Sequence, residues 1–161
     1  MHAENLVKIR KRCEPIVKKI NKLDFETAYN CNICGKTKTN IIANMDRYGV
    51  HIRTAICPRC GLVHLVDRLT PDSYQVFYED GIYRELISAY KGVEQTPQEI
   101  LKGQENYASI LANSLGELLK HSNKEMELLD IGGSTGLISK VVEKSIGYRS
   151  TILEPAIKEV E

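Results

Sequence analysis

Apolar residues recur near a helical period at the start of the chain, at Leu6, Ile9 and Cys13 and then at Ile16, Ile20 and Leu23. This spacing predicts helix over residues 1–28. Pro15 predicts a break or a fresh helix start, because its ring removes a backbone donor and clashes with the preceding turn. The pattern then shortens: Ile41-Ile42-Ala43, Val50 through Ile56 and Leu62 through Val66 read as short strands. Thr70-Pro71 opens a short helix, with threonine as cap and proline in the first turn. Tyr74, Phe77 and Tyr78 share its face. Residues 79–95 hold a turn signal at Asp80-Gly81 and a stretch between Tyr83 and Tyr90 that is compatible with a helix. Thr96-Pro97-Gln98-Glu99 is a capping box. The long helix after it is predicted to turn Ile100, Leu101, Tyr107, Ala108, Leu111, Leu115, Leu118 and Leu119 toward a core and to stop near residues 121–123. Glu127 through Ile131 then reads as a buried strand, residues 132–136 as a glycine turn and Leu137, Ile138, Val141 and Val142 as the buried face of a helix ending near Gly147. Thr151 through Leu153 reads as a second strand. Strand, turn, helix, strand is a βαβ unit and implies a parallel sheet.

The chain therefore divides into an N-terminal helical segment at 1–28, a cysteine-bearing segment at 29–68, a connecting helical and aromatic segment at 69–95 and an α/β segment at 96–161. Its 161 residues have an ordinary globular composition and a net charge of +1, which gives no global steer toward nucleic acid or membrane. Lys8, Arg10, Lys11, Arg12, Lys18, Lys19 and Lys22 crowd the start, a run best read as a solvated helical face. Nothing approaches the roughly 20 apolar residues of a membrane span. The first residues lack the apolar core of a signal peptide. A cytoplasmic location is expected.

Four of the five cysteines stand as C-x₂-C-x₂₂-C-x₂-C: Cys31, Cys34, Cys57 and Cys60. Two residues between cysteines let a tight turn point both sulfurs the same way, and Gly35 and Gly61 suit the bend that follows. Such a set predicts structural Zn²⁺, since four protein ligands leave no open position for a substrate. A redox pair would need no second copy. Cys13 is left over as a small apolar residue. His51 and His64 lie nearby as strand residues, with no vacancy to fill in a complete thiolate set.

The second candidate site is Asp130-Ile131-Gly132-Gly133-Ser134-Thr135-Gly136, followed by Glu154 at the end of the next strand. Gly132 lets the chain turn tightly off the strand, and Gly136 permits close backbone approach. Glu154 stands near the spacing of a ribose-binding carboxylate. The dinucleotide pattern G-x-G-x-x-G fits poorly: counted from Gly132 or from Gly133, the later glycine places hold Ser134 and Leu137, or Thr135 and Ile138. No Walker lysine follows. An acid just before the turn and another after the second strand suit a ligand that carries an ammonium group and a ribose diol. S-adenosylmethionine has both.

Leu128 through Gly136 resembles the first motif of class I S-adenosylmethionine-dependent methyltransferases, and Ile152-Leu153-Glu154-Pro155 resembles their second, acidic motif. Cys57-Pro58-Arg59-Cys60-Gly61-Leu62-Val63, with Phe77-Tyr78 and Tyr83-Arg84, resembles the zinc-ribbon lead segment of a subgroup that includes sugar C-methyltransferases. The resemblance implies an α/β fold: a small zinc ribbon followed by the first βαβ unit of a Rossmann-like sheet that is incomplete in this chain. It implies cofactor contacts at Asp130, Gly132, Gly133, Ser134, Gly136 and Glu154, and a small-molecule methyl acceptor such as a sugar or a polysaccharide or secondary-metabolite precursor. The family usually has glycine where this chain has Ser134. No catalytic residue is identified. The chain reads as an N-terminal fragment, with impaired turnover by itself and an open sheet edge that favours self-association. Ile157, Lys158 and Val160 read as the start of a further helix. The competing reading is a zinc-ribbon module that binds nucleic acid or protein without catalysis. The ribbon's modest basic charge and few interleaved aromatics argue against nucleic acid.

Overall fold

The computed structural model describes residues 3–119 and 127–155. Its internal contacts divide the chain into two units, Met1–Glu94 and Gln95–Glu161. The described residues are mixed α/β and include three small sheets.

The first unit opens with α1, Ala3–Ile20, which runs unbroken through Pro15 and so corrects the expected interruption. Ile9, Cys13, Val17 and Ile20 form its buried stripe, packed with Val50, Ile82 and Leu86. An interior proline costs about 3 kcal/mol, whereas burying each aliphatic side chain of that stripe returns about 1.5–3 kcal/mol. Arg12 adds a tie just before the proline: its Nε donates to Ala89 O at 2.8 Å and its second guanidinium arm to Tyr90 O at 2.9 Å. Those are terminal carbonyls of α3, Ile82–Lys91, where a cation also suits the helix dipole.

Residues 21–28, expected as helix, lie beyond α1. Phe25–Thr27 is strand β1, antiparallel to β5, Asp67–Leu69. The three-stranded sheet is β2 (Asn40–Ala43), β3 (Thr54–Ile56) and β4 (Val63–Leu65), all antiparallel. The strand expected from Val50 begins only at Thr54. Asp46 is the reason, since its Oδ1 accepts from the amides of Tyr48, Gly49 and Val50 at 2.9 Å each and folds that stretch into a turn. His51 is consequently exposed in the loop and not a strand residue. Helix α2, Pro71–Glu79, starts as expected, with Thr70 Oγ1 accepting from Ser73 N at 3.3 Å.

In the second unit α4 spans Pro97–Leu118, and its cap Thr96 accepts from Glu99 N at 3.3 Å. Ile100, Ala108 and Ala112 are buried, while Tyr107 and Leu118 are 57% and 79% exposed and do not face a core as expected. The small alanines let α4 lie close to α5, Leu137–Ile146. Val142 and Ser139 are the buried residues of α5, with Leu137, Ile138 and Val141 half-buried. Strands β6, Glu127–Ile131, and β7, Arg149–Leu153, pair in parallel from Glu127↔Arg149 to Ile131↔Leu153. The strand expected to be buried is covered on one face only: Leu129, Ile131 and Leu153 are exposed. A continuous apolar run marks strands covered on both faces; here the described elements cover one. The expected helix end at 121–123 and the helix start at 157–160 lie outside the described residues.

No described helix is long and apolar enough to cross a membrane.

Candidate metal centre and glycine turn

Two knuckles deliver the four cysteines. Gly35 and Gly61 adopt φ of +68° and +76°, a region where a side chain is strained. Each knuckle is closed by a matching pair of backbone bonds. Gly35 N donates to Cys31 O at 3.0 Å and Cys31 N to Lys36 O at 2.9 Å; Gly61 N donates to Cys57 O at 2.9 Å and Cys57 N to Leu62 O at 2.8 Å. Strands β3 and β4 flank the second knuckle, and the antiparallel ladder returns it to the first.

The sulfurs of Cys31, Cys34, Cys57 and Cys60 all lie within 4.8 Å of one another. Cys31 and Cys60 are 3.5 Å apart, as are Cys34 and Cys57. A tetrahedral zinc with sulfurs at about 2.3 Å has S···S edges of about 3.8 Å, so the four residues fit such an ion. The amides of Cys34 and Ile33 favour the Cys31 thiolate, which is held down to about 6. Burial opposes ionisation of Cys57, yet the amides of Cys60 and Arg59 carry it below the ordinary thiol value. Cys60 gains from the Leu62 amide, but the neighbouring sulfurs push it up to about 12. Without a cation, crowded sulfurs cannot all ionise. A divalent ion removes that conflict. The cluster can hold a metal ion. His64 is no part of the set: its buried ring meets Leu65 O through Nδ1 at 3.2 Å.

The glycine turn is built at the carboxyl ends of β6 and β7. Gly132, at φ +78°, donates from N to Leu153 O at 2.7 Å and extends the ladder by one bond. A β-carbon on Gly133 would stand 2.8 Å from both Asp130 Oδ2 and Ile152 Cγ2, and one on Gly136 would stand 2.6 Å from Ile152 Cδ1. Ser134 carries φ +50°, the one described non-glycine residue with positive φ. Its N–H donates to Glu154 Oε2 at 2.8 Å, so the acid at the end of β7 reaches the bend after β6.

Asp130 lies on the covered side of the sheet, where the buried Ser139 donates to Oδ2 at 2.5 Å. Thr135 donates to Gln104 Oε1 at 2.8 Å, pinning the turn to α4. Ser139 and Gln104 were not legible as site residues. The only hint of Ser139 was a polar residue among the apolar positions of α5. Gln104 carried no signal. Tyr74, Phe77, Tyr78 and Tyr83 form one cluster within the first unit, with ring centroids from 5.2 to 6.5 Å apart.

Comparison with family models, with curated proteins and with solved structures yields no match to this chain.

Proposed function

We propose that the chain carries the front half of an S-adenosylmethionine site in a methyltransferase acting on a small molecule, with a structural zinc ribbon ahead of it. The observation that supports this most directly is the Glu154–Ser134 bond, which joins the acid of β7 to the turn of β6. In this reading Glu154 accepts from the ribose hydroxyls, and the crowded glycines at 133 and 136 keep the backbone free of side chains at the bend. Asp130, tied to Ser139, supplies negative charge below the turn for the ammonium end. Methyl transfer then needs an aligned nucleophile and exclusion of water. A carbon acceptor also needs a base.

Isothermal titration of the zinc-loaded chain with S-adenosylmethionine tests the reading. Millimolar or tighter binding that Glu154→Gln weakens is expected; binding equally tight in the variant, or none, overturns it. The alternative of a nucleic-acid module gains little from the basic run. Arg10, Arg12, Lys18 and Lys19 are engaged by Asp46 O, the α3 carbonyls, Glu14 and Glu85.

A further inference from the structure

The first unit holds a cavity of about 190 Å³. Four aromatic side chains line it: Tyr48, Tyr74, Phe77 and Tyr83. Tyr74 is also exposed, so the space reaches solvent. For scale, an apolar cavity near 150 Å³ accepts one benzene molecule. A ligand of about that bulk fits here.

Charge decides the class of ligand. Three charged side chains line the space: Asp46, Asp67 and Arg68. Two of them already have counter-ions, Asp67 in Arg53 at 2.6 Å and Arg68 in Glu26 at 3.4 Å. Asp46 has none among the described residues. Its Oδ1 accepts from the amides of Tyr48, Gly49 and Val50. Its Oδ2 takes no hydrogen bond among the described residues and is not sealed from solvent. The nearby arginines form no ion pair with it. The Arg47 guanidinium lies 4.7 and 5.1 Å from the ring centroids of Tyr48 and Tyr90, and Arg10 reaches only the Asp46 backbone carbonyl. The charge left over at the cavity is therefore one carboxylate beside four aromatic side chains. Aromatic rings attract cations through their negative faces, so both features favour a cation. A primary ammonium carries three N–H donors, and the free charged acceptor is a single oxygen, so burying that group leaves donors unpaired. A fully methylated ammonium has no N–H to satisfy.

We propose that this cavity binds a small methylated ammonium ion, with the methyl groups among the aromatic side chains and Asp46 as the counter-charge. The site goes beyond the methyl-transfer reading. It belongs to the first unit alone and is measured without S-adenosylmethionine, so its failure is distinct from failure of that reading.

The test titrates four probes into the full zinc-loaded chain at one ionic strength: choline, its uncharged isostere neohexyl alcohol, ethanolamine and tert-butylacetate. Binding is read by NMR of the Ile52, Leu69 and Leu86 methyls, which line the cavity. Choline is expected to shift all three and to bind about tenfold tighter than neohexyl alcohol, with ethanolamine and tert-butylacetate weaker than choline. Asp46→Asn keeps an oxygen for the three backbone amides and removes the charge, so it should erase the preference for choline over the alcohol. Neohexyl alcohol equal to choline in the parent protein overturns the selection by charge, even if the variant fails to fold. A preference that survives in folded Asp46→Asn overturns the role of Asp46. Ethanolamine as tight as choline overturns the methylated class, and tert-butylacetate as tight as choline overturns the cation. No methyl shift with any probe at millimolar concentration overturns the site.

Discussion

At the turn after β6 two neighbouring glycines are needed for different reasons. Gly132 has open space around it but a φ of +78°. Gly132→Ala should therefore cost about 1 kcal/mol, the penalty of a left-handed backbone. Gly133 meets two atoms at 2.8 Å, one of them on Ile152 in the facing strand. Gly133→Ala should cost more, about 1–3 kcal/mol, because the strand pair must spread to admit the methyl. Urea denaturation of the two variants checks the order; a smaller loss for Gly133→Ala would contradict it. Ser139→Ala should cost about 1–3 kcal/mol by leaving the Asp130 carboxylate short of its donor, read in the same experiment.

At the scale of elements, Arg53 and Asp67 bind the start of β3 to β5. Asp67 Oδ2 also accepts from Arg53 N at 2.9 Å, and Oδ1 from Thr27 at 3.2 Å. The Arg53 guanidinium holds the Asp67 carboxyl down to about 2. A depressed folded value stabilises the fold above the unfolded value, near 4, and that contribution disappears as pH falls from about 4 toward 2. The difference in urea midpoint between the parent and Asp67→Asn should be present at pH 7 and shrink across that window. Bound zinc is followed alongside, because protons also displace it from the four thiolates, and only points at equal zinc occupancy are compared. A difference that persists unchanged at pH 2 would remove the ion pair as its cause.

The ribbon makes a sharper claim. Its sheet has short strands with exposed Ile41, Ile42, Val63 and Leu65, so little apolar core holds it together. Metal binding can supply on the order of 10 kcal/mol of folding free energy. Chelation, or Cys34→Ser, should lose the amide dispersion of residues 31–65 in an NMR spectrum. In the metal-loaded protein Cys13 should resist iodoacetamide, since it is fully buried and burial pushes its thiol up. Rapid alkylation of Cys13 would place it outside the α1–α3 core.

Across the whole molecule, polar and apolar surface are unevenly spread. Leu129, Ile131 and Leu153 expose 58%, 73% and 60% of their surface on one face of a two-stranded parallel sheet. Exposed apolar strands of this kind are aggregation liabilities. Ile131→Thr keeps β-propensity while removing apolar surface, and should lower light scattering at high protein concentration without changing the circular dichroism spectrum. Unchanged scattering would assign association to another surface.

Local rules made some of this molecule readable in one dimension. The cysteine knuckles, the threonine caps at 70 and 96 and the βαβ unit around the glycine turn each depend on residues close in sequence, where the chemistry of a cap, a bend or a period is self-contained. The partners of those elements were another matter. Continuity of α1 through Pro15 came from packing on α3, and β1 arose because residues 25–27 find β5 some forty positions away. Asp46 drew Val50 out of its predicted strand. The Arg53–Asp67 ion pair and the Ser139–Asp130 bond join segments that no periodicity connects. The sequence by itself determined where chain direction and metal chemistry lie; tertiary structure decided which polar groups find partners, because that depends on distances across the fold and not along the chain.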